Sequence, residues 1–397
     1  MKIKLGVIFG GESVEHEVSI ISALQAIKNL NEDKYEVVPI YIGKDKTWYT
    51  GHALLDIDTY KDFDNLKRFA KKVTLIKRDG AFYLVNTTGL FRRDVSEVDI
   101  ILPVVHGHGV EDGTLAGYLE TVGIPYVGSH TLGSALGQDK VVMKQILRDS
   151  GIDIVDYVWF FDNEYLEDKD KILKYIDKLG YPVVVKPATL GSSVGITFVK
   201  DKKTIEDAIE EAISYDTKVV VEKAVENLIE VNASVIGNYE RQRVSPLEEV
   251  MGEDEILSFT DKYLSSGKTK GTASKGMAST SRIIPARISK ELTTKIQETS
   301  KEVFRLFNFS GVVRIDYLID SKTNKYYVNE PNTIPGSLSF YLWKESGLSY
   351  KEELDEMISI AIKEYKNTEK KTTSFDSNIL EGFNGSKGSK GMKGLKN

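Results

Sequence analysis

The sequence predicts an α/β protein that opens with a Rossmann-like, parallel sheet and continues into further sheets with helices between them. Three observations carry this. The chain has 397 residues, too many for one hydrophobic core, so two or three domains are expected. Its opening couples a buried-type strand, Lys4 to Phe9, to Gly10-Gly11 and then to a helix, the first half of an α/β unit. Further on, Arg314 to Gly336 (RIDYLIDSKTNKYYVNEPNTIPG) reads as two strands joined by a short polar turn.

That hairpin holds the first chemical signal. Residues two apart in a strand share a face, so Arg314 and Asp316 point one way, as do Glu330 and Asn332. Pairing symmetric about Thr323 sets Asp316 opposite Glu330 and Arg314 opposite Asn332. Like charges directly opposite destabilise a ladder. Two carboxylates and an amide oxygen are also hard-oxygen ligands for Mg²⁺, which would cancel the repulsion and bring a nucleotide phosphate with it. A solvated acidic hairpin is the other reading, and the hairpin alone leaves both open.

Composition narrows the field. The chain is 41% hydrophobic and 28% charged, as in an ordinary soluble protein, and 53 basic residues against 59 acidic give a net charge of -6. That balance argues against nucleic acid as the main partner. Without cysteine neither disulfides nor thiol chemistry is available. The start, MKIKLGVIFGGES, lacks the length and cleavage pattern of a signal peptide. No apolar run reaches membrane-spanning length, so no membrane anchor is expected and the cytoplasm is the default compartment.

Along the chain, Ser13 is expected to cap the first helix, with Val18, Ile21, Ala23, Leu24 and Ile27 as its apolar positions. Glu15, His16 and Glu17 crowd its first turn, where free N–H groups favour anions; the glutamates serve either a ligand or only the helix dipole. Strands are expected at Tyr35 to Ile42, Asp99 to Val105 and Pro125 to Val127, with a peripheral hairpin at Lys71 to Val85. Gly10-Gly11 lacks the full dinucleotide fingerprint, so NAD is not favoured. The third strand ends in His106-Gly-His108-Gly, then Glu111-Asp112-Gly113, where ligands of open α/β sheets bind. These residues form either a site or a structural hydrogen-bonding cluster; zinc lacks a third ligand at a usual spacing.

Gly128 to Gly137 marks a domain boundary, and a helix beginning with Lys140 follows. Lys186 ends a strand and leads into Thr189-Leu-Gly-Ser-Ser-Val-Gly195. Hydroxyls and glycines beside a lysine suit a triphosphate, although no Walker loop is present; a plain turn is the alternative. Val219 to Val221 ends in Glu222-Lys223-Ala224-Val225, whose backbone could read an adenine edge. Glu230 is spaced to meet a ribose hydroxyl, or is simply solvated. Ser258 to Pro285 is a long, Lys- and Gly-rich loop. Helices are expected at Lys290 to Phe307 and Tyr350 to Tyr365. From Asn367 onward, Gly, Ser and Lys387, Lys390, Lys393 and Lys396 cannot build a core and are expected to be disordered and dispensable for turnover.

In combination these motifs resemble the D-alanine–D-alanine ligases, enzymes of the ATP-grasp fold. GGESVEHEVS, HGHGVEDGTLAGYLE, KPATLGSSVG, Lys262-Tyr263, RID and NEPNTIPG occur in that family's order, and the resemblance runs from about Lys4 to Tyr365. It implies a Rossmann-like amino-terminal domain over 1–133 and an ATP-grasp domain over 134–366. The latter would comprise two α+β subdomains, 134–218 and 219–366, before a basic tail. It implies ligation of two D-alanines through an acyl phosphate for peptidoglycan synthesis. ATP and Mg²⁺ would be required, with Mn²⁺ as an alternative, and a homodimer is implied. Glu15 would receive the first ammonium and His106 would lie near its carboxylate. Lys140, Lys186, Ser192, Ser193 and Lys262 would stand with the ATP phosphates, Glu222, Ala224 and Val225 with adenine, and Glu230 with ribose. Ser192 and Tyr263 would link to Glu15 in a hydrogen-bonded relay. Arg314 and Gly336 would form an oxyanion site, and Asp316, Glu330 and Asn332 a metal site. The long loop would close over the acyl phosphate.

Three departures from the family pattern stand out: Val110 and Ala116 in the second motif, Leu257-Ser-Phe259 before Lys262, and SLSFYLW after Gly336. The last is shorter than usual and has no serine where the acceptor carboxylate is expected. Lys262, Lys268 or Lys275 could replace it from the closed loop. Tyr263 goes with an amine acceptor. A ligase with another acceptor (D-serine, D-lactate or an L-amino acid) is the alternative enzyme, and a silent nucleotide-binding regulator the alternative of another class.

Overall fold

The computed structural model describes residues 2–89, 93–191, 194–251 and 282–372. Most of the described chain, through Ile362, forms one compact unit, and within it three sheets follow one another along the sequence.

The first part holds β1 (Ile3–Gly10), α1 (His16–Asn29), β2 (Tyr35–Ile42), β3 (Trp48–Thr50), α2 (Phe63–Phe69), β4 (Lys71–Arg78), β5 (Ala81–Asn86), β6 (Asp94–Glu97), β7 (Ile100–Pro103) and α3 (Thr114–Val122). Its seven strands run in the order β6-β5-β4-β3-β2-β1-β7. The centre is parallel, β1 lying between β2 and β7, while β3 to β6 add an antiparallel flank. The expected strand at Pro125 to Val127 is reduced to one parallel bridge, Ile101 to Tyr126. Leu5, Val7 and Phe9 pack on one side of the sheet and Ile8, Ile40 and Ile101 on the other, the two-sided burial expected of parallel strands.

The first helix begins later than expected. Glu15, not Ser13, is its N-cap residue. The Ser13 hydroxyl instead accepts from the Glu15 N–H at 3.0 Å. Ile21 is exposed while Ile20, Ala23 and Leu24 are buried.

After α4 (Thr131–Gln138) and α5 (Lys140–Asp149) comes a four-stranded antiparallel sheet, β10-β9-β11-β8. It is built from β8 (Tyr157–Phe161), α6 (Asp162–Glu167), α7 (Lys169–Leu179), β9 (Val183–Pro187), β10 (Thr197–Val199), α8 (Ile205–Ile213) and β11 (Lys218–Lys223). Since β11 pairs with both β8 and β9, a division at 218/219 separates that strand from its own sheet.

The third sheet has six strands: β12 (Leu228–Gly237), β13 (Gln242–Val244), β14 (Glu248–Val250), β15 (Arg282–Ile283), β16 (Gly311–Asp320) and β17 (Lys325–Asn332). β13 and β14 both pair with β12. α9 (Lys290–Leu306) covers one face through Ile296, Val303 and Phe304, against Val231, Ala233, Val313, Ile315 and Tyr317. The alternate residues Asn232, Arg314 and Asp316 are thereby left for the opposite face. α10 (Phe340–Lys344) and α11 (Tyr350–Thr368) follow, so the last helix runs past both Tyr365 and the expected start of the tail. Residues 373–397 and most of the Ser258 to Pro285 loop lie outside the described residues.

Gly10 makes the turn out of β1 at φ +91°, and a Cβ there would lie 2.2 Å from the Ile42 carbonyl oxygen. Gly10→Ala is expected to cost about 1–3 kcal/mol or more, read as a lower urea midpoint at unchanged slope.

Candidate active site

A cavity of about 700 Å³ opens between the sheets. Its floor is the free face of the third sheet. Glu248, Asn232, Asp316 and Glu330 stand side by side there, one on each of four neighbouring strands. Strands lie about 4.8 Å apart, so the row is roughly 14 Å long. Both expected hairpin pairs are present: Asp316 faces Glu330 and Arg314 faces Asn332.

The opposed carboxylates are compensated by separate cations. Arg314 donates through Nε and Nη2 to the two Asp316 oxygens, each at 2.7 Å. Burial opposes the guanidinium charge, yet Asp316 raises its pKa well above the ordinary value. Asn332 Nδ2 donates to Asp316 at 3.1 Å. Glu330 pairs with Lys140 Nζ at 3.0 Å, and that lysine also donates to the Leu190 carbonyl at 2.6 Å. Among the described residues, no three His, Asp or Glu side chains could hold a metal by themselves. Asp316, Glu330 and Asn332 offer two carboxylates and an amide, donors that would suit an ion that keeps water and phosphate ligands.

A second set of charges forms the wall. Glu222 is buried between Lys144 Nζ at 2.9 Å and Lys186 Nζ at 2.7 Å. Burial alone would raise the Glu222 pKa; the two ammonium groups instead hold it down at about 2. Burial pushes Lys144 down. Burial also opposes the Lys186 charge, but Glu222 and Glu330 together raise its pKa. The Glu222 side chain thus serves lysines, not a base. The Ala224 N–H is bonded to the Pro182 carbonyl at 3.1 Å, and Ala224 lines the cavity. Val225 and Glu230 line the same wall.

The first sheet supplies the third side. Glu15, His106 and Glu111 are buried and line the cavity, and Gly336 joins them. His106 Nε2 lies 3.3 Å from Ser22 Oγ. Burial, with Arg314 nearby, lowers its pKa to about 4, so it is neutral at neutral pH. Glu111 accepts from the Gly107 N–H at 3.0 Å and the Ile334 N–H at 2.9 Å. Burial and the charge of Glu15 raise its pKa to about 7. The loop after Lys186 reaches this side: a Cβ on Gly191 would stand 3.2 Å from Glu15 Oε2.

The structure therefore brings together Glu15, His106, Lys140, Lys186, Glu222, Ala224, Val225, Glu230, Arg314, Asp316, Glu330, Asn332 and Gly336. Ser192, Ser193, Lys262 and Tyr263 lie outside the described residues. Three residues escaped the sequence reading. Lys144 was legible as the i+4 neighbour of Lys140 on one helix face. Glu111 was seen in its motif but given no role. Asn329, whose Oδ1 accepts from Lys186 at 3.2 Å, is the extra residue of a β-bulge: Asp316 pairs with Glu330 but Tyr317 with Val328. No short-range pattern announces such a bulge.

An amino-terminal α/β domain, two further antiparallel sheets and lysines facing paired carboxylates across a deep cavity define an ATP-grasp ligase. The family described as D-ala D-ala ligase N-terminus matches residues 4–129, and D-ala D-ala ligase C-terminus matches 146–359. The chain belongs to the D-alanine–D-alanine ligase family. It is 41% identical over 383 residues to a D-alanine–D-alanine ligase of Thermosipho melanesiensis, covering 96% of this chain and 98% of that one. It is 38% identical over 387 residues to one of Caldicellulosiruptor bescii, covering 94% and 98%. The solved D-alanine–D-alanine ligase of Coxiella burnetii superposes with a TM-score of 0.76 at 28% identity, covering 93% of this chain and 96% of that one. The VanG D-Ala:D-Ser ligase of Enterococcus faecalis gives 0.73 at 32% identity, covering 91% and 100%.

A carboxyl held below its unfolded value adds stability that is present above that value and is lost as pH falls through the folded value. Glu222→Gln is expected to cost about 3–5 kcal/mol at neutral pH by leaving two buried ammonium groups without their anion. In urea titrations the gap to the wild type should close as pH falls from 4.5 towards 2.

Proposed function

We propose that this chain is an ATP-dependent ligase that joins two D-alanines into D-alanyl-D-alanine for peptidoglycan synthesis. The observation that carries the reading is the convergence of Glu15 and His106, of Lys140 and Lys186, and of the Arg314–Asp316–Glu330–Asn332 set on one cavity. The relatives above are named for this activity. One solved neighbour, VanG, is named for a D-serine acceptor, and D-serine is the second reading.

Each group has a task in that reaction. Glu15 receives the ammonium of the first D-alanine, and His106 lies near its carboxylate. A carboxylate is a poor electrophile, so its oxygen attacks the γ-phosphorus of ATP, ADP leaves, and an acyl phosphate results. Lys140 and Lys186 neutralise the phosphates. The backbone of the Glu222 to Val225 stretch reads adenine, and Glu230 takes ribose. The second amine then forms its bond to the acyl carbon and phosphate departs. Arg314 and the Gly336 N–H hold the oxyanion between these events. Asp316, Glu330 and Asn332 fit Mg²⁺, which when bound neutralises charge on the transferred phosphoryl group. Mn²⁺ has the same ligand preferences.

The same reading assigns Ser192, Ser193, Lys262 and Tyr263 to the nucleotide and to a relay with Glu15. It keeps the amino-terminal domain at 1–133 and the ATP-grasp domain at 134–366, with β11 moved to the first subdomain. A homodimer and a cytoplasmic location belong to it too. No helix among the described residues is long and apolar enough to cross a membrane.

ADP release measured against a panel of D-amino and D-hydroxy acids tests the proposal; no D-alanine-dependent release would overturn it. Asp316→Ala and Glu330→Ala should each lower turnover by about a hundredfold or more with an unchanged circular dichroism spectrum. Lys186→Ala should raise KM for ATP or slow phosphoryl transfer by a similar factor. Glu111 gives a pH test: ionising as pH rises through about 7, it adds negative charge beside Glu15. KM for the first D-alanine should fall across that step, and Glu111→Gln should flatten the profile.

A further inference from the structure

Lys144 takes no part in the steps above. It stands one turn after Lys140 in α5, so both lysines leave the same face of that helix. Their surroundings differ. Lys140 reaches the cavity and pairs with Glu330. Lys144 is fully buried, with its ammonium group 6.0 Å from the centre of the Tyr157 ring. It lies behind Glu222, whose Oε1 it meets at 2.9 Å. The other oxygen of that carboxylate, Oε2, holds Lys186 at 2.7 Å on the cavity wall. Asn329 Oδ1 accepts from Lys186 at 3.2 Å, so the cavity-side lysine is shared between two residues while Lys144 faces the glutamate.

A fully buried lysine needs a reason. Lysine is among the residues least often found in that state, and desolvation consumes most of what a buried ion pair gains. Burial lowers the Lys144 pKa; Glu222 opposes that effect and the Lys186 charge adds to it. One lysine would be enough to neutralise Glu222. Two cations around one anion leave an excess of one positive charge, and Lys186 carries it on the cavity side.

Phosphoryl transfer gives that excess a use. Lys186 has to exchange Glu222 for a phosphate oxygen when ATP arrives. With a single lysine, the exchange would strip a buried carboxylate of its cation, a penalty that would oppose ATP binding. With Lys144 in place, Glu222 stays ionised and paired throughout. Departure of Lys186 also removes a repulsion from Lys144.

We propose that Lys144 is a positioning residue for the nucleotide: it keeps the Glu222 carboxylate paired, so that Lys186 is free to move to the phosphates of ATP. The proposal rests on the nucleotide half of the ligase reading and adds the group that makes the movement of Lys186 possible. The test uses the full chain and two readouts, the kinetics of ADP release and the affinity for ATP measured by calorimetry without amino acid. Lys144→Met, similar in length and without charge, should raise KM for ATP roughly 10- to 100-fold. The KM values for the two D-alanines should stay within about twofold of the wild type, and the calorimetric Kd for ATP should move with its KM. The double variant Lys144→Met/Glu222→Gln also takes away the anion, so Lys186 leaves no charge behind. Its KM for ATP should return to within about threefold of the wild type. A lysine needed only for packing would instead give losses that add. An unchanged KM for ATP in Lys144→Met, or a rise that persists in the double variant, would overturn the proposal. So would equal rises in all KM values, which mark a general structural defect. If Lys144→Met does not fold, the double variant is read by itself against the same limit; its failure to fold as well would overturn the proposal by making Lys144 a residue of the fold. Failure of the wild type to release ADP with any D-amino acid would overturn the ligase reading, and the calorimetric comparison would still decide whether Lys144 governs ATP binding.

Discussion

The face-to-face placement of Asp316 and Glu330 is the constraint on which the site depends. Two carboxylates directly across an antiparallel ladder repel, so the surrounding chain must supply positive charge. Arg314 does so from two residues earlier in the same strand, and Lys140 from the first turn of α5. Lys186 comes from the second sheet, drawn to Glu222 and Glu330 together. The charge of the third sheet is thus met from its own strand, from a helix and from the second sheet. The cavity is a place where electrostatic balance is reached over distance, by residues whose best partner is a ligand.

The buried Lys144–Glu222–Lys186 group shows the same logic under a stricter dielectric. A buried ion pair is a weak source of stability, because desolvation consumes most of the attraction. Its value lies in fixing where charges stand before a ligand arrives. Lys186 can turn from Glu222 towards a phosphate without leaving that glutamate unmatched, since Lys144 stays behind it.

Much of this was legible in the sequence, and the reason is periodicity. Alternation in Arg314 to Asp320, and a turn centred on Thr323, were enough to pair Asp316 with Glu330 and Arg314 with Asn332. The strand–glycine–helix opening located Glu15, although the helix starts at a different residue from the one expected. What stayed hidden depends on contacts between distant segments. Glu222 looked like part of a base-reading strand because its lysine partner lies on a helix many residues earlier. Glu111 meets Ile334 across more than half the chain. The division after residue 218 cuts β11 from its sheet for a related reason: an apolar strand does not reveal which sheet it will join.

The bulge at Asn329 has a consequence for the whole second strand of the hairpin. Tyr326, Val328, Glu330 and Asn332 are all even-numbered, and in an unbroken strand they would share one face. Val328 instead packs in the core against Tyr317, while Glu330 reaches the cavity. The extra residue acts as a phase shifter, giving one strand an apolar half and an ionic half on opposite sides of the sheet. Such a strand has a spatial reading frame. Losing one residue at the bulge would leave every side chain chemically intact, yet the strand would have to bury its carboxylates or surrender its core.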